Sequence, residues 1–251
     1  MMKHIRAIIL AAGRGRRMLP LTNNVPKCLL THRGKKILEH QLDLIRHNGI
    51  SQIVVVTGFA ADLVRQVGGD SITYVHNEDY LSTNSIYSLF LARRFLDSDV
   101  LLMNCDVLAE REILRLLLEE KFPNAVAVDF RGPFADGEMN IKVSNGYVIE
   151  IGKNVPATEA CGYSVQYAKF GKEGAETLAD EITRLVRTGC IDGFPSDAYG
   201  AVIARQGIKA VDVGQRTWFE IDTPEDFAAA SSLNVTCSSA FASEGVENEA
   251  T

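Results

Sequence analysis

The sequence predicts an α/β fold, a Rossmann-like, mostly parallel sheet flanked by helices, with a small substrate-binding lobe. Three observations predict it. Short apolar runs recur without alternation, as strands buried on both faces require. Segments of helical apolar spacing fill the intervals between them, which is the pattern of βαβ units with right-handed crossovers. The chain of 251 residues lies at the upper end of what one hydrophobic core supports.

Taken in order, Ala7-Ile8-Ile9-Leu10-Ala11-Ala12 is the first buried strand. Leu38 to His47 carries apolar residues at helical spacing (Leu38, Leu42, Ile45) and stops at Asn48-Gly49, a C-terminal cap signal. Ile53 to Val56 is the second strand, Ala60 to Val67 a short helix closed by Gly68-Gly69, and Ile72 to Val75 the third strand. Ser85 to Leu96 reads as a helix, and Val100 to Met103 as a fourth strand ending at Asn104-Cys105-Asp106. Beyond Asp106 the pattern changes. A helix over Glu110 to Glu120 precedes strand-like pieces at 125–130, 139–143, 147–151 and 161–167, separated by Gly, Asn and Pro turns. Helices follow over 171–187 and 196–205, then strands over 209–213 and 218–221. Thr223-Pro224-Glu225-Asp226 opens a last helix, with a capping residue and a proline in its first turn.

This organisation predicts one domain over 1–236, in two parts that meet at about 122/123. The Ser-, Ala-, Asn- and Glu-rich stretch 237–251 reads as a disordered tail.

The composition is that of a globular protein, 46% hydrophobic and 23% charged, with a net charge of −6. That charge argues against a nucleic-acid backbone as the main partner. Arg14, Arg16, Arg17 and Lys27 nevertheless form a local basic cluster. No apolar run reaches the roughly 18–20 residues of a membrane span. The five cysteines are odd in number and lack CxxC or zinc-ligand spacing, so reduced thiols and a cytoplasmic setting are expected.

The segment Leu10-Ala11-Ala12-Gly13-Arg14-Gly15-Arg16-Arg17 leaves a buried strand and enters a glycine loop. Glycines let backbone N–H groups close on an anion, and the carboxyl end of a first strand is where open α/β sheets bind ligands. A Walker A loop is absent, and Met18 stands where a dinucleotide fingerprint needs its third glycine. A basic loop followed by Lys27 points to a triphosphate: Arg17 offers paired N–H donors and Lys27 a point charge. Two aspartates each end an apolar strand, Asp106 and Asp222. On sequence alone each is also a candidate helix N-cap, although Thr223 is the better cap beside Asp222.

Ala7-Ile8-Ile9-Leu10-Ala11-Ala12-Gly13-x-Gly15-x-Arg17-Met18-x-Pro20-Leu21-Thr22, followed by Val25-Pro26-Lys27-Cys28-Leu29, resembles the signature of the sugar-phosphate nucleotidylyltransferase superfamily. The resemblance covers roughly residues 5 to 230 and implies a fold of the nucleotide-diphospho-sugar transferase type, with a nucleotide-binding part over about 1–122 and an acceptor-binding part over about 123–236. It implies that Gly13, Gly15, Arg17 and Lys27 hold a triphosphate, and that Asp106 and Asp222 bind Mg²⁺. Nucleotidyl transfer brings two anions together, and Mg²⁺ prefers a few oxygen ligands while it orients the phosphates. Arg17, Lys27, Asp106 and Asp222 are therefore the expected catalytic set. The nucleotide site is expected to comprise Leu10, Ala11, Ala12, Gly13, Arg14, Gly15, Arg17, Lys27, Gly58, Thr83, Asn84 and Ser85. Lys153 resembles the lysine that grips the acceptor's phosphate.

Within the superfamily, Thr83-Asn84-Ser85-Ile86-Tyr87-Ser88-Leu89 is similar to the choline-phosphate cytidylyltransferase branch rather than to the Gly-Thr-Ala turn of hexose-phosphate enzymes. A chain too short for an added β-helix domain agrees with that branch. CTP and a small phosphate or phosphonate acceptor are then the expected partners, with a homodimer possible, and Tyr87, Glu220, Asp136 and Tyr199 are expected near the acceptor. Asp136, Glu138, Tyr163, Tyr199 and Trp218 are candidates to surround a cationic head group. A sugar-1-phosphate nucleotidylyltransferase using UTP, dTTP or GTP, and a non-catalytic nucleotide-binding subunit, are the alternatives. The second would be marked by loss of Arg17, Lys27, Asp106 or Asp222, and all four are present.

Overall fold

The structure is a computed structural model that describes residues 5–232; the tail expected at 237–251 lies outside the described residues. The chain begins with β1 (Arg6–Ala11), then a small hairpin of β2 (Thr31–His32) and β3 (Lys35–Lys36), α1 (Ile37–His47), β4 (Gln52–Thr57), α2 (Ala61–Gly68) and β5 (Thr73–His76). It continues with α3 (Ser85–Leu91), β6 (Val100–Asn104), β7 (Val107–Ala109), α4 (Arg111–Glu119), β8 (Ala125–Asp129), β9 (Asn140–Ser144), β10 (Tyr147–Gly152) and β11 (Gly162–Phe170). The last elements are α5 (Lys172–Arg187), α6 (Tyr199–Arg205), β12 (Lys209–Asp212), β13 (Trp218–Glu220) and α7 (Pro224–Ser232).

Nine strands form one sheet in the order β5-β4-β1-β6-β11-β8-β12-β10-β9. The expected parallel half is there: β5, β4, β1 and β6 all run the same way. The second half is mixed. β11 lies antiparallel to both β6 and β8, β12 is parallel to β8, and β10 is antiparallel to β9 and β12. The pattern change after Asp106 is thus a change from crossover helices to returning strands within the same sheet, and the sheet passes the 122/123 boundary without a break.

The apolar run of β1 is buried on both faces, and its two faces feed two cores. Ala7, Ile9 and Ala11 pack with Leu38, Leu42 and Ile45 of α1 and Ile113, Leu114 and Leu117 of α4. Ile8 and Leu10 pack with Ile86 and Leu89 of α3, Leu178 and Ile182 of α5 and Val202 of α6. Each fully buried Leu or Ile contributes about 1.5–3 kcal/mol. The chain order in the sheet reverses at β1: the crossover through α1 goes to β4 on one side, while β6 lies on the other. Ligands of open α/β sheets bind at such a reversal, beyond the carboxyl ends of the strands.

Two helices are shorter than their apolar spacing predicts. α3 stops at Leu91 and gives way to a tight turn over Arg93–Phe95, where Arg93 donates to the Phe90 carbonyl and lies over its ring. The helix expected from Ser196 opens as a tight turn over Pro195–Ala198 before α6.

Candidate active site

The loop after β1 is held open by its own backbone. Gly15 has φ +73°, a left-handed conformation that favours glycine. A side chain there would also press on Lys27, whose Cβ would lie 3.2 Å from the added carbon. Thr22 Oγ1 donates to the Gly15 carbonyl at 2.8 Å, and the Met18 N–H donates to the same carbonyl at 3.0 Å. Met18 is fully buried against Leu30, Ile37, Leu108 and Ile221. The residue that breaks the dinucleotide fingerprint is therefore the plug that fastens the loop to the segments carrying Asp106 and Asp222.

Those segments form a second, two-stranded sheet. β13 pairs antiparallel with β7, Glu220 opposite Val107, and the Ile221 N–H donates to the Asp106 carbonyl at 2.9 Å. Asp106 is not a helix cap, because β7 separates it from α4, which begins after Glu110. Nor is Asp222. Thr223 caps α7 through its Oγ1, which accepts from the Asp226 N–H, while Asp226 accepts in return from the Thr223 and Asp222 N–H groups. Both side chains are thereby left for the cleft.

Lys27 bridges them. Its Nζ lies 2.8 Å from Asp106 Oδ2 and 2.7 Å from Asp222 Oδ1, and Arg17 reaches Asp222 Oδ2 at 2.8 Å. Burial alone would lower the lysine's pKa, but the two carboxylates outweigh it and hold the ammonium charged well beyond its ordinary range. Burial likewise works to raise Asp222, and Lys27 and Arg17 overcome it, keeping this carboxyl below the usual range. Glu220 joins the group: one oxygen each from Asp106, Glu220 and Asp222 lie within 4.8 Å of one another. Burial first, then the charges of Asp106 and Asp222, push Glu220 up to about 8. Glu220 was expected at the acceptor. Its place beside two aspartates follows from β13, where residues 220 and 222 lie two apart at the strand's end and reach the same side.

The cleft encloses about 270 Å³ and brings together Leu10, Ala12, Gly13, Gly15, Arg17, Lys27, Thr83, Asn84, Ser85, Asp106, Lys153, Glu220 and Asp222. Lys153 follows β10, with its ammonium 5.1 Å from the centre of the Phe194 ring. Several expected residues lie elsewhere. Ala11 faces the core on the opposite side of β1. Arg14 lies over the Phe59 ring, 5.1 Å from its centre, and donates to the Asn23 carbonyl. Gly58 packs behind the loop, where an added Cβ would fall 2.6 Å from the Ala12 carbonyl and 2.7 Å from Tyr80.

On the acceptor side the corrections are larger. Tyr87 turns away to donate to Asp79 Oδ2 at 3.2 Å. Tyr199 is buried in the core edge-on to Phe170, because the turn over Pro195–Ala198 directs it inward. Asp136 is exposed and accepts from the Ala157 N–H. Tyr163 donates to the Pro133 carbonyl, and the Trp218 indole N–H donates to Asp129, which Arg131 also grips. None of these lines the cleft, although Tyr199 borders a small cavity behind it. Sequence reasoning passed over Asn77, Tyr80, Ser88, Asn104, Gln166 and Phe194, all of which line the cleft. Of these, Asn104 carried a signal as the residue ending the fourth apolar strand, and Ser88 as part of the 83–89 turn.

The family model described as "MobA-like NTP transferase domain" matches residues 7–180. The CTP:phosphoglutamine cytidylyltransferase of Campylobacter jejuni is 31% identical over 196 residues, covering 71% of this chain and 76% of that one. The CMP-5'-(3-aminopropyl)phosphonate synthase of Streptomyces rubellomurinus is 30% identical over 239 residues; the match takes in 88% of this chain but only 37% of that protein. Among solved structures, the CTP:phosphocholine cytidylyltransferase of Streptococcus pneumoniae superposes with a TM-score of 0.73 at 20% identity, covering 91% of this chain and 98% of that one. The inositol-1-phosphate CTP transferase of T. maritima gives 0.73 at 22% identity, covering 94% and 98%. At these identities the structures speak for the fold alone. No helix among the described residues is long and apolar enough to cross a membrane.

Proposed function

The chain belongs to the MobA-like NTP transferase family, and from that premise we propose that it moves CMP from CTP to a small phosphate or phosphonate acceptor and releases pyrophosphate. The observation that carries the reading is the meeting of Lys27, Asp106, Glu220 and Asp222 beside an open glycine loop at the reversal of strand order. Relatives named for CTP-dependent transfer to phosphoglutamine and for a CMP-linked phosphonate support the choice of nucleotide and acceptor class.

The residues suit a magnesium ion. Asp106 Oδ1 is buried without a hydrogen-bond partner, and three hard oxygen donors converge within reach of one ion. Asp106 and Asp222 would hold the ion, with Glu220 alongside. When bound, it would neutralise charge on the triphosphate oxygens around the α-phosphorus. Backbone N–H groups of the Gly13–Gly15 loop receive the phosphates. Arg17 and Lys27 leave the aspartates for phosphate oxygens, and Lys153 holds the acceptor's phosphate or phosphonate. The acceptor is already ionised at neutral pH, so its oxygen attacks the α-phosphorus without a general base and pyrophosphate departs on the opposite side.

The test is a pyrophosphate-release assay crossing the four nucleoside triphosphates with choline phosphate, phosphoglutamine, an aminoalkylphosphonate and hexose 1-phosphates. CTP with a non-sugar acceptor should turn over, and Asp106→Ala or Asp222→Ala should each lower kcat by about 10³-fold or more. Turnover confined to hexose phosphates with UTP, dTTP or GTP would overturn the reading.

A further inference from the structure

Resting on that reading of the cleft, we infer that Gln166, with Asn104 and Ser196, forms the subsite for the organic part of the acceptor and selects an uncharged hydrogen-bonding group, a carboxamide or hydroxyl, over a quaternary ammonium. Gln166 lies on β11, across β6 from the phosphate loop, and lines the cleft together with Asn104, Lys153 and Phe194.

The backbone at Gln166 is unusual. Its φ of +64° is left-handed, inside a strand, in a residue that is neither glycine nor asparagine. It falls within the bulge of β11 between Ser164 and Ala168, fixed by the Gln166 N–H donating to Ser164 Oγ at 3.0 Å. Bulges re-aim side chains, and strained residues gather where a ligand is met. Here the bulge delivers the amide to the cleft, where Gln166 Oε1 accepts from Asn104 Nδ2 at 3.2 Å. That bond leaves the Gln166 side-chain N–H groups to donate and the Asn104 side-chain Oδ1 to accept, a pairing complementary to a carboxamide or a hydroxyl.

A second observation lies directly behind. A cavity of about 20 Å³ shares Asn104, Gln166 and Phe194 with the cleft and is closed by Met139, Ile151, Ser196 and Tyr199, so Tyr199 comes near the acceptor from behind the cleft. Ser196 is 8% exposed, and its Oγ is buried without a hydrogen-bond partner. Buried hydroxyls are normally satisfied, and this space has room for about one water or one small polar group.

The charges point the same way. Among the described residues, the carboxylates lining the cleft are Asp106, Glu220 and Asp222, all gathered in one cluster. The Phe194 ring is already covered by the Lys153 ammonium. A quaternary ammonium placed at Gln166 would find no free carboxylate in the cleft lining and a lysine nearby, whereas binding of such cations relies on aromatic cages.

The experiment compares kcat/KM for choline phosphate, 3,3-dimethylbutyl phosphate, glycerol phosphate and phosphoglutamine with CTP. It uses the native protein, Gln166→Leu and Gln166→Gly, the last keeping the left-handed backbone without the amide. The native protein should favour glycerol phosphate over choline phosphate by about tenfold or more. Both variants should erase that preference by raising the acceptor KM about 10–100-fold, with the KM for CTP moving little and Gln166→Gly melting no lower than the native protein. Preference for choline phosphate, or an unchanged preference in Gln166→Gly, would overturn the inference. If no acceptor turns over with CTP, the function reading falls, and calorimetry still decides the subsite. Glycerol phosphate should bind the native protein about 10–100-fold more tightly than Gln166→Gly; equal binding, or none to either, would overturn it.

Discussion

The Lys27 ammonium stands between Asp106 and Asp222, where a divalent cation would be held, so the two cations compete for the same oxygens. Metal and nucleotide should therefore depend on one another, because a triphosphate gives Lys27 another partner. Mn²⁺ alone should bind the native protein weakly, and Lys27→Met should tighten that binding by about tenfold while weakening the Mn²⁺–CTP complex. Titration followed by the free Mn²⁺ paramagnetic resonance signal measures both; metal-only affinity unchanged in Lys27→Met would refute the competition. Lys27 was legible in the sequence as a basic residue after a glycine loop. Its bridge was not, since the partners lie 79 and 195 residues away. Gln166 was invisible for another reason. A glutamine within an apolar strand looks like any solvent-facing position, and a left-handed backbone leaves no mark unless glycine or asparagine occupies it.

Among the elements, the buried strands and the caps were the most legible, because they depend on neighbouring residues only. Asn48-Gly49 ends α1, and Thr223 caps α7, where the letters put them. Three-residue β7 carried no periodicity to read, and α3 was shortened by an arginine-to-carbonyl contact that no spacing encodes. Two glycines near the loop illustrate how an element's role decides the cost of change. Gly58 follows β4 and lies against the base of the loop, so Gly58→Ala should cost about 1–3 kcal/mol of stability by displacing Tyr80 or the Ala12 carbonyl. Gly13 has nothing within 4 Å of an added Cβ, so Gly13→Ala should stay within about 0.5 kcal/mol of native stability yet weaken CTP binding. Thermal denaturation and CTP titration of both variants check the contrast; equal melting losses would contradict it.

At the scale of the molecule, the nucleotide and acceptor parts expected from the sequence are two halves of one sheet, joined by the antiparallel β6–β11 pairing. The single tryptophan lies on β13 and donates to Asp129 of β8, so it reports on the second half. Urea unfolding followed by Trp218 fluorescence and by far-ultraviolet circular dichroism should give coincident transitions. Two separated midpoints would show that the halves unfold independently.

The small β7–β13 sheet has a consequence for how the enzyme comes into being. A ribosome delivers Asp106 long before it delivers Glu220 and Asp222, and β13 cannot pair with β7 until Trp218–Glu220 has emerged. A nascent chain halted before that point has a phosphate loop and one carboxylate of the three. Synthesis thus withholds the proposed centre from partial products, because its three carboxylates meet only when the far end of the fold has closed on the near one.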